Sequence, residues 1–179
     1  MSLPRRLAII DVESTGAHPV RDRITEIAIL RIEDGEVVAR WESLVAPGQA
    51  IPPLIEQVTG ISDAMVADAP PFEAVADTVA ALLEGCVFVA HSARFDFGFI
   101  KNAFTRIGRE FAAPVLCTVK LSRALFPEHH RHGLDALIER HGLVCAARHR
   151  AMGDVEVLWQ FVRGLEAGFE PEVLARAAA

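Results

Sequence analysis

Two carboxylates stand at the end of an apolar run near the start of the sequence. Residues 7–10 are Leu-Ala-Ile-Ile, and Asp11 and Glu13 follow at once. Because side chains alternate along a β-strand, Asp11 and Glu13 point to one side and Val12 points to the other. Two like charges at the end of a buried strand repel each other and are costly to desolvate. Hard cations such as Mg²⁺ or Mn²⁺ relieve that cost, so the pair is compatible with a metal site. A solvated strand end that carries two acids explains the pair equally well.

Two further acids and a histidine stand where helices are expected to begin. Asp96 follows His91 and Phe95, and Asp154 follows His149 by five residues. Either acid alone could simply interact with a helix dipole. Together with Asp11 and Glu13 they supply four carboxylates, which is the ligand set for two cations ~3.5–4 Å apart that promote phosphoryl displacement. A histidine of ordinary pKa ~6.5 is a candidate general base that takes a proton from water.

The elements that position these residues follow from hydrophobic periodicity. Strands are predicted over 5–12, 23–33, 36–46, 86–90 and 114–117, with a hairpin at Asp34-Gly35. Helices are predicted after Pro52 and over 71–84, 94–107, 118–126, 134–141 and 151–166, with Thr118 as a cap and Gly153 as a point of close backbone approach. This order predicts an α/β fold with a mixed five-stranded sheet, in which three antiparallel strands precede a βαβ unit, flanked by helices.

Length and composition favour one domain over residues 1–179, with an Ala-rich tail over 167–179 that is expected to fray. No apolar run reaches the ~20 residues of a membrane span, and the apolar run that ends at Asp11 is not a signal peptide. Cys86, Cys117 and Cys145 are widely spaced and odd in number, which predicts buried thiols in a reducing cytoplasm.

Charge is distributed unevenly along the chain. The net charge is −6, yet residues 101–150 carry nine Lys and Arg against four Asp and Glu, and also five histidines. A basic sector in an acidic protein is compatible with a polyanionic substrate held at one face, and ordinary surface patchiness accounts for it as well.

Three motifs in this order resemble those of the DEDDh (DnaQ-like) 3′→5′ exonucleases, a family that includes the proofreading epsilon subunit of bacterial DNA polymerase III. Asp11-Val-Glu13-Ser-Thr-Gly16 is similar to the first family motif, His91 with Phe95-Asp96 to the second, and His149 with Asp154 to the third. Thr59-Gly60-Ile61 is similar to a family segment that contacts the terminal nucleotide. The resemblance covers about residues 6–165, and no phosphate loop, nucleophile elbow or His-Glu-x-x-His motif competes with it.

The resemblance implies a ribonuclease H-like fold and a two-metal site for Mg²⁺ or Mn²⁺. Asp11, Glu13 and Asp154 would bind the first ion, Asp11 and Asp96 the second, and His149 would be the general base. The residues expected to contact substrate are Val12, Ser14, Thr15, Gly16, Ile61, His91, Ser92 and Phe95. The Thr15 and Gly16 backbone would hold the 3′ end, and Ile61 and Phe95 would lie against the last bases. Many members have His-Asn where this chain has His91-Ser92, which lacks the amide.

The resemblance predicts a hydrolase of single-stranded 3′ ends, most simply DNA, in replication or repair. An RNA-directed exonuclease of the same family remains an alternative. Two further alternatives are a phosphomonoesterase that uses Asp11 as nucleophile and a non-catalytic binding module. The phosphomonoesterase is disfavoured because Glu13 replaces the second Asp of the Asp-x-Asp pattern. A DNA polymerase is a conceivable partner. The sequence has no Gln-x-x-Leu-x-Phe clamp-binding motif, which favours a nuclease that is not tethered to a clamp.

Overall fold

Five strands form one mixed sheet in the computed structural model, which describes residues 3–179. In chain order they are β1 (Arg6–Ser14), β2 (Ile24–Glu33), β3 (Glu36–Leu44), β4 (Val87–Ala90) and β5 (Val115–Cys117). Across the sheet the order is β3-β2-β1-β4-β5. The first three strands pair antiparallel, whereas β4 runs parallel to β1 and β5 parallel to β4. The predicted fold class is therefore confirmed.

The hairpin between β2 and β3 forms where its sequence signal stands. Asp34 and Gly35 have φ angles of 52° and 84°. Positive φ at both central residues is the requirement of a type I′ turn, whose twist matches that of the flanking strands. On the neighbouring strand, β1 continues two residues further than predicted, so Asp11 and Glu13 lie inside the strand, and a register shift against β2 follows Glu13.

Helices cover both faces of the sheet. They are α1 (Pro53–Thr59), α2 (Asp63–Val66), α3 (Phe72–Leu83), α4 (Arg94–Arg106), α5 (Thr118–Leu125), α6 (Leu134–His141), α7 (Ala151–Gly168) and α8 (Pro171–Ala178). Leu7 and Ile9 of β1 belong to a core cluster with α7, whereas Ala8 and Ile10 belong to a second cluster with α3 and α4. Since alternate residues share a face, Asp11 and Glu13 lie on the side of α7.

The C-terminal segment is packed against the body, although we expected it to fray. Leu174 of α8 is 1% exposed and belongs to the core cluster that includes Leu121 of α5 and Leu165 of α7. Burying one leucine side chain contributes about 1.5–3 kcal/mol, which favours the packed position of this short helix. None of the helices over residues 3–179 combines the length and apolar character that a membrane crossing requires.

Candidate active site

Three carboxylates from two elements meet at the end of β1. One carboxylate oxygen each from Asp11, Glu13 and Asp154 lies within 4.8 Å of the others. Glu13 and Asp11 project from the same face of β1, and Asp154 lies in the first turn of α7, which packs against β1 and β2. The spacing within the strand and the start of the helix therefore place three predicted metal ligands together.

Asp96 approaches the same place from the opposite side of β1. It lies in the first turn of α4 and is 2% exposed. Its Oδ1 accepts the backbone N–H of Val12 at 3.1 Å, which ties α4 to the strand between the two acids. Asp96 is outside the compact group of three, but its charge raises the pKa of Asp11. The fourth predicted ligand is thus adjacent to the cluster.

Burial and mutual repulsion shift the pKa values of all four acids upward. Desolvation is the main cause at each, and it raises the pKa of Glu13 and of Asp96 to about 8. The pKa of Asp11 is raised well above its ordinary value by burial and by its acidic neighbours, and the pKa of Asp154 is raised as well. Among residues 3–179, Oδ1 of Asp154 is buried with no hydrogen-bond partner. An unsatisfied buried oxygen amid repelling carboxylates fits divalent cations.

Arg148 lies against this cluster, and the sequence motifs did not identify it. Its Nη1 donates to Oδ2 of Asp154, and its Nε donates to Oδ1 of Asp135 at 2.6 Å. Nη1 also lies 3.4 Å from Nδ1 of His149. Because a guanidinium can only donate, Nδ1 of His149 is the acceptor in that contact. Arg148 therefore offsets part of the acidic charge beside the expected general base.

His149 is held in an unusual backbone conformation just before α7. Its φ is +61°, a value that residues other than glycine rarely adopt. The preceding turn passes so close to α7 that a Cβ at Gly153 would collide with the carbonyl oxygen of Ala147. The predicted role of Gly153 in close backbone approach is thus confirmed, and the contact fixes the loop that carries His149.

Glu26 of β2 is a second residue that sequence reasoning missed. It is 3% exposed, and Nη2 of Arg150 donates to its Oε1 at 2.7 Å. Its Oε2 accepts the N–H of Ala151, the first residue of α7, at 3.1 Å. Glu26 thus supplies from another element the N-terminal cap that α7 does not have in its own sequence. The sequence signal that could have identified Glu26 is the presence of an acid within the mostly apolar run 24–30.

The loop after β1 is braced by its own hydrogen bonds. The hydroxyl of Ser14 donates to the carbonyl of Gly16 at 2.6 Å. The N–H of Thr15 donates to the carbonyl of Arg23 at 2.9 Å, and the Thr15 hydroxyl accepts from Gln49 Nε2 and from the Arg23 N–H. The Thr15 N–H is therefore already used within the loop, and the placement of a 3′ end at the Thr15 and Gly16 backbone stays a prediction.

The side chain of Ile61 is fully buried, contrary to its expected contact with a base. It packs with Ile51 and Val66 in a small cluster beneath α1 and α2. In this structure Ile61 offers no side-chain surface to a nucleotide. Phe95 is partly exposed and packs on Phe99 with ring centroids 4.7 Å apart, so one part of its ring remains accessible.

His91 and Ser92 follow β4 beside the cluster. Nδ1 of His91 lies 2.8 Å from the hydroxyl of Thr118, and burial lowers the pKa of His91 to about 4. Thr118 is therefore a partner of His91; the residue at the cap position of α5 is Cys117, which corrects the expected role of Thr118. Ser92 is exposed and has a φ of +60°. The Val12 side chain is 3% exposed within the core, so only its backbone reaches the site.

A family comparison decides what kind of domain this is. Residues 8–161 match the model of a family described as "Exonuclease". The chain belongs to this exonuclease family. The matched range includes Asp11, Glu13, Asp96, His149 and Asp154, and the resemblance to DnaQ-like exonucleases is confirmed by relatives within the same family.

Two curated relatives and one solved structure illustrate the match. The exonuclease domain is 43% identical over 155 residues to the "3'-5' exonuclease DinG" of Bacillus subtilis (strain 168), covering 86% of this chain and 17% of that protein. It is 42% identical over 165 residues to the "DNA polymerase III subunit epsilon-like protein" of Rhodobacter capsulatus, covering 89% of this chain and 23% of the relative. The chain thus spans less than a quarter of either relative's length.

The solved structure is similar over nearly its whole length. It is described as "Exonuclease X in complex with 5' overhanging duplex DNA" and is 28% identical, with a TM-score of 0.75. The similarity covers 97% of this chain and 99% of that one. The ribonuclease H-like exonuclease fold expected from the motifs is therefore confirmed.

Proposed function

We propose that this exonuclease domain removes nucleotides from the 3′ end of single-stranded DNA with the help of two divalent metal ions. The observation that carries the proposal is the cluster of Asp11, Glu13 and Asp154, whose oxygens lie within 4.8 Å beside His149. A phosphomonoesterase with Asp11 as nucleophile is disfavoured because Glu13 stands where the Asp-x-Asp pattern requires a second Asp. Membership in the exonuclease family favours the same choice.

Mg²⁺ or Mn²⁺ is the expected occupant of the acidic cluster. Asp11, Glu13 and Asp154 would hold one ion, and Asp11 with Asp96, directly or through a water molecule, would hold the other. Bound ions would supply Lewis-acid stabilisation of charge on the phosphate and on the leaving 3′ oxygen. For these ligands to bind, the raised pKa values of Glu13 and Asp96 must fall, so metal binding releases protons.

His149 would accept the proton of the attacking water. Its backbone is fixed by the Ala147–Gly153 contact and by the tie between Glu26 and the start of α7. Arg148, whose Nη1 lies beside both His149 and Asp154, would be displaced from Asp154 when cations enter. The ion pair with Asp135 would keep Arg148 at the edge of the acidic cluster. There the positive guanidinium group is favourable for a phosphate.

The direction of digestion and the DNA substrate rest on the relatives. One is named a 3'-5' exonuclease, and Exonuclease X was solved with a DNA duplex. The name of the epsilon-like relative makes a DNA polymerase the first partner to test. RNA is the alternative substrate, because recognition of the 2′-hydroxyl depends on contacts to the sugar.

The test is digestion of 5′-labelled single-stranded DNA and RNA of matched sequence. With Mg²⁺ or Mn²⁺ we expect a ladder of DNA products that shortens from the 3′ end. Asp11→Ala and Asp154→Ala should abolish it, and His149→Ala should slow it about 10²–10⁴-fold while Mn²⁺ binding, measured by calorimetry, is retained. His130→Ala, which changes an exposed loop histidine, is the matched control.

Three results would contradict the proposal. They are hydrolysis that survives thorough removal of divalent metal, a wild-type rate for His149→Ala, and release of inorganic phosphate without nucleotides. Faster digestion of RNA than DNA would keep the mechanism and replace the substrate.

A further inference from the structure

A groove of about 500 Å³ lies where β4 and β5 end. Ser92, Arg94 and Phe97 line it from the start of α4, and Cys117, Lys120 and Arg123 line it from β5 and α5. β5 is the last strand of the sheet, so the groove opens at the sheet edge. None of the acids or the histidine of the cluster contributes to its wall.

The groove is basic, and its cations are unpaired. Within residues 3–179, Arg94, Lys120 and Arg123 make no ion pair or hydrogen bond through their side chains, and no acidic side chain lines the groove. Some exposed cations elsewhere are paired, such as Arg40 with Glu156 and Arg109 with Asp77, so the surface does offer counter-charges. Three like charges held together without counter-charges repel one another, and a bound polyanion removes that repulsion.

Two helix N-termini add to this positive potential. α4 begins at Arg94 and α5 begins at Thr118, and both first turns border the groove. The start of a helix carries a partial positive charge and unpaired N–H groups that favour phosphate. Side-chain charge and backbone dipoles therefore favour the same kind of ligand.

The groove lies within a short reach of the acidic cluster. Ile9 of β1 pairs with Val89, and Ala90 of β4 pairs with Cys117, so β5 is two strands from β1. Strands are about 4.8 Å apart, which places β5 about 10 Å from β1. A strand in duplex DNA rises about 3.4 Å per nucleotide, and a single strand can be more extended, so a strand whose 3′ end lay at the cluster would reach the groove within about three nucleotides.

We propose that Arg94, Lys120 and Arg123 form a binding site for the phosphodiester backbone of nucleotides upstream of the 3′ end. The inference rests on the proposed nuclease function, which supplies the polyanion and places its end. It assigns a role to two cations of the basic sector, Lys120 and Arg123, together with Arg94. The site makes binding affinity depend on the length of the substrate, because a substrate too short to reach the groove makes no contact with it.

The test compares two triple variants of equal charge. Arg94→Gln/Lys120→Gln/Arg123→Gln neutralises the groove, and Arg6→Gln/Lys101→Gln/Arg176→Gln neutralises three exposed cations outside it. Initial rates are measured on a dinucleotide and on a 12-nucleotide DNA at several salt concentrations. Binding of the labelled 12-nucleotide DNA is followed by fluorescence anisotropy without divalent metal. If the groove variant does not fold, Lys120→Gln alone replaces it.

For the groove variant we expect KM on the 12-nucleotide DNA to rise about 10-fold. The slope of log affinity against log salt concentration should become shallower by about 2, because each of the three lost phosphate contacts contributes roughly 0.7. Digestion of the dinucleotide should be unchanged, and the control triple should resemble wild type. An equal loss in both triples, an equal loss on both substrates, or equal competition by polyaspartate would overturn the proposal. Failure of wild type to cut either substrate would instead refute the nuclease function, and the anisotropy series would still test the groove.

Discussion

Ser92 and His149 share a backbone conformation that costs free energy. Both have φ near +60°, and Asp34 of the hairpin is the third residue other than glycine with positive φ within residues 3–179. Such residues cost about 1–3 kcal/mol each and concentrate at functional sites, where the surrounding structure holds them. Both flank the acidic cluster, at the end of β4 and at the start of α7. The chain turns at these two residues, beside the place where a substrate would bind. The free-energy cost of the positive φ angles arises from those turns.

Position 92 gives a direct test of that strain. Asparagine tolerates positive φ better than serine, glycine better still, and a β-branched residue poorly. We expect Ser92→Asn and Ser92→Gly to raise the free energy of unfolding by a few tenths to about 1 kcal/mol, and Ser92→Val to lower it. Urea unfolding of the three variants measures the order. A Ser92→Val variant as stable as wild type would show that the backbone here is not strained.

At the scale of elements, α7 aligns the site because it touches both the sheet and its own preceding loop. Glu26 caps its first N–H from β2, and Gly153 allows the carbonyl of Ala147 to approach. These two contacts set the direction of Asp154 and the position of His149. The helix therefore acts as a rigid element that holds the proposed metal ligand Asp154 in place relative to the proposed base His149.

Gly153→Ala should disturb this arrangement. The added methyl group collides with backbone, which cannot move as a side chain can. We expect the free energy of unfolding to fall by about 1–3 kcal/mol and the rate of DNA digestion to fall at least 10-fold, as the loop with His149 is displaced. Gly164→Ala on the same helix is the control, because no described atom lies within 4 Å of its added Cβ. Equal stability and activity of the two variants would refute the argument.

Local sequence patterns predicted the helices and strands. They did not predict contacts between residues that are far apart in the sequence. Period two placed Asp11 and Glu13 on one face, and Asp34-Gly35 fixed the hairpin. The tie of Glu26 to Arg150 joins residues 124 positions apart, and the partners of Arg148 depend on how α6 and α7 pack. Ile61 was expected to contact a base, yet its side chain packs with Ile51 and Val66 and is buried. Leu174 likewise finds its place only in the assembled core.

For the molecule as a whole, the acidic cluster opposes stability at neutral pH in the absence of metal. Glu13 and Asp96 have pKa values of about 8 in the folded state and ionise near ~4 in the unfolded chain. Between these values the folded state binds more protons than the unfolded state, so the free energy of unfolding falls as pH rises. The stabilising contribution is complete below pH ~4 and is lost as pH rises through about 8.

We therefore expect the melting temperature of the metal-free protein to fall by several degrees between pH ~7 and ~9. Saturating Mg²⁺ should raise the melting temperature most at the upper end of this range, because cations favour the ionised acids. Asp96→Asn keeps an acceptor for the Val12 N–H and removes one titrating group, so its pH dependence should be weaker. Calorimetry measures all three, with EDTA for the metal-free samples and with excess Mg²⁺ in place of EDTA for the metal-bound sample. A melting temperature of wild type that rises over this range would contradict the assignment.

The tie between Glu26 and Ala151 spans 125 residues, which has a consequence for synthesis on the ribosome. At about 5–20 residues per second, roughly 6–25 s separate the emergence of these two residues. During that interval the growing chain exposes a hairpin meander with Asp11 and Glu13, while His149 and Asp154 have not yet been made. A nascent chain thus lacks its proposed base and one proposed metal ligand until residues 149–154 are made.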